Sequence, residues 1–362
     1  MIKHIAILAA ALVLSSAQAI TIDDVLTQVK QNNTQLKAAG ARLDADQKSL
    51  KSSNNLPDPE VGGAYLFGKG PLDDKWEIGI SQQVEWPGVY SARSNAADAF
   101  INALQHGYSA EQLEVLNQAR SLCIDIVGYN NLIQFNQGVL DNLNRLFNTY
   151  NKALAHGEVS IIDVNKLKIE RLLMQQKIDE ATSLRTAAVE QLKGINGGID
   201  IAGAESLSTY APLPLLPLEQ HLTQARSSSP LLAKQNALVA AQSKNATATA
   251  RQSLPSLSLG YRHVCEMGDH FNGISMGVSL PVFSNRGKKS AARASVFAAE
   301  MDASFTKNAL ESNIATCHQR ATALKNQIGV YDNALSSTDN IAVLNKALNL
   351  SLIHISEPTR PY

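Results

Sequence analysis

The sequence is poor in cysteine and aromatic residues, and it carries no excess of charge of either sign. Its three cysteines, Cys123, Cys265 and Cys317, are too few and too scattered along 362 residues for a disulfide framework. Aromatic residues make up only 5% of the chain, whereas alanine, leucine, asparagine and glutamine are abundant, which is typical of long packed helices. Lysine plus arginine equals aspartate plus glutamate at 32 each, so the charge balance gives no reason to expect a nucleic-acid partner.

The sequence also lacks the constellations on which enzymes depend. It contains no nucleophile beside a base, no glycine-rich phosphate loop and no paired carboxylates in a plausible cleft. We therefore predict that the protein is not an enzyme and that it needs no cofactor.

The N-terminus has the pattern of a secretory signal peptide. Lys3 and His4 precede the apolar run 5–14, and Ala17-Gln-Ala19 is a small-x-small cleavage site, which predicts a signal peptide over residues 1–19. The apolar run is shorter than the ~20 residues that span a bilayer as a helix, and no other stretch is apolar enough. If the mature chain enters a membrane, we expect it to do so as a closed β-barrel, which also satisfies the backbone hydrogen bonds.

Two segments alternate between apolar and polar residues, and they predict β-hairpins over residues 60–86 and 257–283. Such strands suit a barrel with lipid outside and water inside. The polar positions are predicted to face the lumen: Glu77, Ser81, Gln83, Ser275 and Ser279. The apolar positions are predicted to face lipid: Trp76, Ile78, Ile80, Met276 and Val278. Because even a small barrel needs about eight strands, we expect chains to pool their strands, and three chains would supply twelve.

The chain is a duplication of one plan: helix, hairpin, long helix. Leu26-Thr-Gln recurs as Leu222-Thr-Gln, and Leu36 matches Leu232 at the same separation. We assign residues 20–200 to the first repeat, 195–218 to a linker without a core of its own, and 219–350 to the second repeat. Cys123 and Cys317 fall at equivalent places in the two repeats, where we expect them to be small apolar fillers.

Long helices follow each hairpin. After Pro87, about 65 residues contain no further proline, and a helix of that length extends on the order of 100 Å. The return helix keeps apolar residues three and four apart, which is typical of a coiled-coil seam, although Arg171 and Arg185 interrupt it. Between the two helices, Gly157 is suited to the left-handed conformation that ends a helix. Ser160 is a predicted N-cap with Asp163 as its capping-box partner.

The last residues differ in character from the rest of the chain. The segment Ser351-Leu-Ile-His-Ile-Ser-Glu-Pro-Thr-Arg360 has the sequence that a common transposon-end sequencing adapter encodes in one reading frame. We therefore expect the native sequence to end near Leu350, expect the original gene to continue beyond it, and leave 351–362 out of the fold.

One group of side chains offers metal ligands. The stretch 263–270 holds His263, Cys265 and His270, whose imidazoles and thiol suit soft metal ions. We expect this stretch to form the loop of the second hairpin on the cell exterior, and its ligand spacing is not diagnostic. The sequence therefore predicts no metal site, with these three residues as weak candidates.

Over Thr21 to Leu350 the chain resembles the TolC-like outer-membrane efflux factor family. The resemblance rests on the duplicated plan, on Gly157-Glu-Val-Ser-Ile-Ile-Asp163 and on Gln191-Leu-Lys-Gly194. Leu56-Pro-Asp-Pro59 and Trp86-Pro-Gly88 look most like the heavy-metal branch of that family, the cobalt-zinc-cadmium type.

The resemblance implies a mainly α fold with transmembrane β-strands. It implies a homotrimer whose twelve-stranded β-barrel in outer-membrane lipid continues as a helical α-barrel into the periplasm. It also implies a periplasmic adaptor (membrane fusion protein) at the helical tip, formed here by Gly157, Val159, Ser160 and Asp163, and an inner-membrane pump. The implied function is a passive exit duct of a tripartite efflux system, and the likeness to the heavy-metal branch favours heavy-metal ions over drugs or secreted proteins as cargo. The alternatives are a periplasmic coiled-coil adaptor, which would show one helical hairpin flanked by β-rich soluble domains, and a secreted hydrolase.

Overall fold

A computed structural model describes residues 20–68, 74–210, 213–281, 283 and 285–337. The predicted signal peptide (1–19) and the predicted adapter-derived tail (351–362) lie outside the described residues. The chain divides into two units, one formed by Met1–Pro212 and Pro230–Met301 and the other by Leu213–Ser229 and Asp302–Tyr362.

The elements repeat in the predicted order of helix, hairpin and long helix. The first set is α1 (Ile22–Asn32), α2 (Thr34–Ser52), β1 (Glu60–Leu66), β2 (Lys75–Val84), α3 (Pro87–Ala155) and α4 (Ile161–Ile195). A short 3₁₀ helix, Ala204–Ser206, follows. The second set is α5 (Leu218–Ser228), α6 (Pro230–Arg251), β3 (Ser256–Glu266), β4 (Asp269–Ser279) and α7 (Lys288–Ser337). The helices preceding each hairpin are broken in two, a detail that the sequence analysis did not predict.

Local sequence explains where these helices break and begin. The backbone N–H of Asn33 donates to the carbonyl oxygen of Val29 at the end of α1. The side chain of Asn33 then accepts a hydrogen bond from the N–H of Leu36 and caps the start of α2. In the second repeat the break comes just before Pro230, because a proline disfavours helical geometry in the residue that precedes it. Pro87 stands at the first position of α3, where its missing N–H leaves no bond unmade. The 69 residues of α3 span on the order of 100 Å.

The four strands form one antiparallel sheet in the order β1-β2-β3-β4. In the second hairpin, Met267 and Gly268 both have positive φ, 52° and 84°, which is the backbone pattern of a tight two-residue hairpin turn. Each of its strands is therefore 11 residues long, and β4 ends at Ser279. The expectation that the stretch 263–270 forms the loop of the second hairpin was wrong, because Gly268 allows the chain to reverse within two residues.

The main core of the first unit joins α1, α3, α4 and the 3₁₀ helix. Its fully buried side chains include Val25, Ile126 and Leu192. Cys123 is also fully buried there, as predicted for a small apolar filler, whereas Cys317 is exposed and that part of the prediction was wrong. The α7 surface that carries Cys317 has no covering element among the described residues of its unit that would bury it.

The linker contributes to this core rather than lying on its surface. Ile201, Ala204 and Leu207 are all buried in the cluster. The side-chain amide of Asn130 on α3 donates to the carbonyl oxygens of Glu205 and Leu207, both at 2.8 Å. These apolar residues of the linker therefore pack into the core formed by the helices.

The second unit is held by polar contacts between α5 and α7. The guanidinium of Arg226 donates to the carboxylate of Glu311 at 2.8 Å. The rings of His221 and His318 meet edge to face with centroids 6.0 Å apart. The Nε2 atom of His318 also lies 3.0 Å from the carbonyl oxygen of Leu216.

Within the described ranges, no helix is both long enough and apolar enough to cross a bilayer.

Candidate membrane surface and helical tip

One face of the sheet is a continuous exposed apolar surface, which we call the apolar face. The strand register places Ile80 opposite both Val61 and Tyr261, and Leu259 opposite Met276. Its large side chains are all exposed in the single chain: Val61, Tyr65, Trp76, Ile78, Ile80, Leu257, Leu259, Tyr261, Ile274, Met276 and Val278. Met276 and Ile274 are each 79% exposed. An apolar surface of this extent marks a site that contacts lipid or protein.

The opposite face, which we call the polar face, carries mainly small and polar residues. The register brings together all five residues predicted to face the lumen: Glu77, Ser81, Gln83, Ser275 and Ser279. Gln83 donates from Nε2 to the Ser256 hydroxyl at 3.0 Å, and the carboxylate of Glu77 lies 3.9 Å from the Arg262 guanidinium. Leu66, Val264 and Phe271 are apolar exceptions near the turns. The predicted separation of polar from apolar positions is therefore present in the sheet, while the medium that each face meets stays a proposal.

Glycine is needed on the polar face because neighbouring strands approach closely there. A Cβ atom added at Gly260 would lie 2.6 Å from the Ser275 hydroxyl and 2.8 Å from the Ile80 carbonyl oxygen. A Cβ at Gly79 would lie 2.9 Å from the carbonyl oxygen of Tyr261. Larger side chains at these positions would push the strands apart.

Aromatic rings and imidazoles gather on the apolar face near the turns. The ring of His263 lies 5.4 Å from Trp76 and stacks on His270 at 5.4 Å, both between centroids. Tyr65 donates from its hydroxyl to Asp74 at 2.6 Å. Trp, Tyr and similar amphipathic rings are enriched where a barrel wall meets the membrane interface.

The weak metal candidates do not lie in a loop, as predicted, but in paired strands. Cys265 is directly opposite His270, and His263 is opposite Asn272, whose Oδ1 lies 2.8 Å from the His263 Nδ1. Among the residues that the structure describes, no three His, Cys, Asp or Glu side chains are placed to hold a metal ion together. The short turn draws these residues into the sheet, where alternation fixes which face each one occupies.

The two outer strands of the sheet lack partners on one side. Within the described part of the chain, β1 pairs only with β2, and β4 pairs only with β3. Unpaired strand edges expose rows of backbone N–H and C=O groups that readily accept another strand.

The reversal between α3 and α4 is closed by caps on both sides. Gly157 has φ +76°, and the N–H groups of Gly157 and Glu158 donate to the carbonyls of Leu154 and Ala153, each at 3.0 Å. This is the paired hydrogen-bond pattern with which helices end at a left-handed glycine. We call residues 157–163 the helical tip.

The start of α4 carries the predicted capping box. The Ser160 hydroxyl accepts from the N–H of Asp163 at 3.3 Å, and the Asp163 carboxylate accepts from the Ser160 hydroxyl at 2.7 Å. That hydroxyl hydrogen bond holds the pKa of Asp163 below its ordinary value of 3.8. The same box, with Thr21 and Asp24, opens α1.

The two arginines that interrupt the predicted seam are accommodated by polar and aromatic partners. The guanidinium of Arg171 lies 4.4 Å from the centroid of the Phe147 ring, a cation–π contact. Arg185 donates from Nη1 to the Oδ1 of Asn130 at 3.1 Å. The sequence alone indicated the interruption but not the partners, because both partners lie on α3, far away along the chain.

Comparison with known proteins identifies the architecture. No family model matches the chain. The cobalt-zinc-cadmium resistance protein CzcC of Cupriavidus metallidurans is 22% identical over 271 residues, which cover 74% of this chain and 64% of CzcC. The match therefore spans less than two thirds of the length of CzcC.

Solved structures agree with this chain over most of its length. The outer membrane protein VceC of Vibrio cholerae is 15% identical, with a TM-score of 0.72 over 93% of this chain and 87% of VceC. The outer membrane channel CmeC of Campylobacter jejuni is 16% identical, with a TM-score of 0.68 over 92% of this chain and 78% of CmeC. These matches confirm the predicted fold class and, at the level of fold, the resemblance to TolC-like outer-membrane efflux factors.

Proposed function

We propose that this chain is the outer-membrane channel component of a tripartite efflux system, a passive exit duct across the outer membrane and the periplasm. The observation that carries the proposal is the sheet with one apolar face, one polar face and two unpaired edges. Such a sheet is suited to form part of a wall between lipid and water. The likeness in fold to VceC and CmeC supports the same reading.

The functional unit is a homotrimer. Four strands are too few to close a barrel, since closure takes about eight, and three chains together contribute twelve. In that assembly the unpaired edge of β1 meets the edge of β4 of the next chain. All backbone groups then find partners, which a bilayer requires.

The helical tip is the docking site for a periplasmic adaptor. Gly157, Val159, Ser160 and Asp163 form a doubly capped turn that holds its shape without a partner. Within the same tip, Ile161 and Ile162 are exposed and offer apolar area for contact. An inner-membrane pump joined through the adaptor supplies the energy, because the duct itself carries no catalytic machinery.

The cargo class is heavy-metal ions. This assignment rests on the likeness to CzcC, a cobalt-zinc-cadmium resistance protein, and on the motifs shared with the heavy-metal branch. A wide water-filled duct passes ions by diffusion and has no need of ligands along its wall. Helix rearrangement at the periplasmic end, on contact with the adaptor and pump, gates the flow.

The proposal is tested by fractionating cells that express the chain. We expect the protein in the outer-membrane fraction, as a species that migrates as a trimer in mild detergent and as a monomer after boiling. A soluble monomer in the periplasm would favour the alternative of a coiled-coil adaptor. The duplicated hairpins with an exposed apolar face already argue against an adaptor, which would carry a single helical hairpin between soluble β-rich domains.

A further inference from the structure

A cluster of exposed cations follows the last strand of the sheet. We define the basic segment as Arg286, Lys288, Lys289 and Arg293, all of which are exposed. No acidic residue occurs between Ser279 and Ala299, so the cations are not balanced within their own stretch of sequence. Farther along, α7 mixes both signs and includes Glu300, Asp302 and Lys307.

The basic segment has no ionic partner among the residues that the structure describes. The equivalent place in the first repeat is different. There Arg93 forms an ion pair with Glu85 at 2.7 Å. The cation that follows the first hairpin, Arg93, is therefore paired, whereas the basic segment that follows the second hairpin has no ionic partner among the described residues.

The basic segment lies at the end of the sheet where the strands join the helices. Asn285, directly before it, donates from Nδ2 to the carbonyl oxygen of Gln252 at 3.1 Å, which ties it to the chain between α6 and β3. Exposed apolar side chains lead up to it: Val278 on the apolar face, then Leu280, then Phe283, which is 89% exposed. Large apolar residues followed at once by Lys and Arg are typical of the boundary between bilayer core and headgroups.

We propose that the basic segment binds the phosphate groups of anionic phospholipids in the leaflet that faces the periplasm. The inference rests on the proposed function, since it requires the apolar face to lie in lipid. Arginine offers a planar fork that matches phosphate, and lysine offers a compact point charge. The exposed Leu280 and Phe283 insert among acyl chains and hold the cations at headgroup depth.

The test measures which lipids the full-length protein retains. The purified protein in detergent is mixed with equal amounts of phosphatidylglycerol and phosphatidylethanolamine, and bound lipids are counted by native mass spectrometry. We expect the protein to retain phosphatidylglycerol preferentially. Replacing all four residues (Arg286→Gln, Lys288→Gln, Lys289→Gln, Arg293→Gln) should abolish the preference, with each lost charge lowering phosphatidylglycerol affinity about fivefold.

Two matched variants make the result specific. The control removes four exposed cations elsewhere on α4 and α7 (Lys168→Gln, Lys177→Gln, Arg320→Gln, Lys325→Gln) and should keep the preference. A charge-preserving variant, Arg286→Lys with Arg293→Lys, should also keep most of it. Helical content from circular dichroism confirms that each variant is folded, as expected for substitutions at exposed positions.

The outcomes separate the two proposals. Equal loss of preference in the test and control variants would overturn the lipid site, because it would show a general charge effect. An unchanged preference in the test variant would overturn it as well, while leaving the channel proposal intact. Failure of the wild-type protein to retain lipid of either headgroup would instead contradict the channel proposal on which this site depends.

Discussion

Asp163 shows how a single side chain stabilises the end of a long helical hairpin. Its carboxylate accepts hydrogen bonds from both the hydroxyl and the N–H of Ser160. The hydroxyl bond is the largest cause of its lowered pKa. Because the charged form is the one stabilised, the cap contributes fully above the pKa of the unfolded chain. The contribution is lost as pH falls through the pKa of the folded tip.

We predict that protection of the helical tip depends on pH through this carboxylate. At pH 7, Asp163→Asn should speed amide hydrogen exchange over 157–163 relative to wild type, after correction for intrinsic rates. The difference should begin to shrink as pH falls below 3.8, the ordinary pKa of the unfolded chain, and should vanish only below the lowered pKa of the folded tip, where both proteins lack the charge. As a control, Asp179→Asn removes a carboxylate from the middle of α4 and should leave the tip unchanged. A constant ratio of tip exchange rates from pH 7 to pH 3 would contradict the assignment.

Leu207 allows a test of the linker's place in the core. Its side chain is only 1% exposed, whereas Leu213 in the same linker is 86% exposed. Leu207→Ala should lower the free energy of unfolding by about 2–5 kcal/mol, and Leu213→Ala should change it little. Denaturant unfolding followed by circular dichroism measures both. Equal effects of the two substitutions would show that the linker does not pack as described.

At the residue scale, the sequence predicts what depends on near neighbours. The Ser160–Asp163 box and the left-handed Gly157 follow from residues three to six positions apart, and the structure confirms both. The burial of Leu207 was not predicted, because its packing partners lie on helices distant in the sequence. Arg185 illustrates the same limit, since its partner Asn130 is 55 positions away.

The two faces of the sheet are the feature of the elements that the sequence predicts most directly. Alternation from Trp76 to Ser81 assigns side chains to two faces, because successive residues in a strand point to opposite sides. The register confirms that the same faces continue across all four strands. The tight turn at Met267 was missed because methionine is not a residue that normally takes positive φ, and only Gly268 signals it.

A pair of substitutions tests the medium that each face meets. Ile78 lies on the apolar face and Ser81 on the polar face of the same strand. Ile78→Arg places a charge in lipid and should cost about 2–4 kcal/mol near the bilayer midplane. Ser81→Arg places the same charge in water and should cost much less. The yield of heat-resistant trimers in the outer-membrane fraction reports the difference, and equal losses would mean that the faces are wrongly assigned.

On the scale of the whole molecule, the feature that calls for a partner is the open sheet. The described strands form a sheet whose two outer strands are each unpaired along one edge. No pattern in the sequence predicts which strand pairs with these edges. The proposed number of chains rests on barrel geometry, which takes about eight strands to close, rather than on any residue. The helical region, by contrast, has a core within the chain, centred on residues such as Val25, Ile126 and Leu192.

Cross-linking between the edge strands tests the central claim, that chains pool their strands into one wall. The strands alternate in direction, so β4 of one chain runs antiparallel to β1 of the next, and side chains on the same face come within disulfide reach. In a background without native cysteines (Cys123→Ser, Cys265→Ser, Cys317→Ser), Val61→Cys on β1 is combined in turn with substitutions on β4: Ile274→Cys, Met276→Cys or Val278→Cys. As a control, Gly62→Cys, which lies on the opposite face, replaces Val61→Cys.

Mild oxidation in membranes, followed by denaturing electrophoresis, gives the answer. At least one same-face pair should yield covalent dimers and trimers, and the opposite-face control should remain monomeric. If every pair stays monomeric, or if the bond forms only within one chain, the strands are not shared between subunits and the channel account is contradicted.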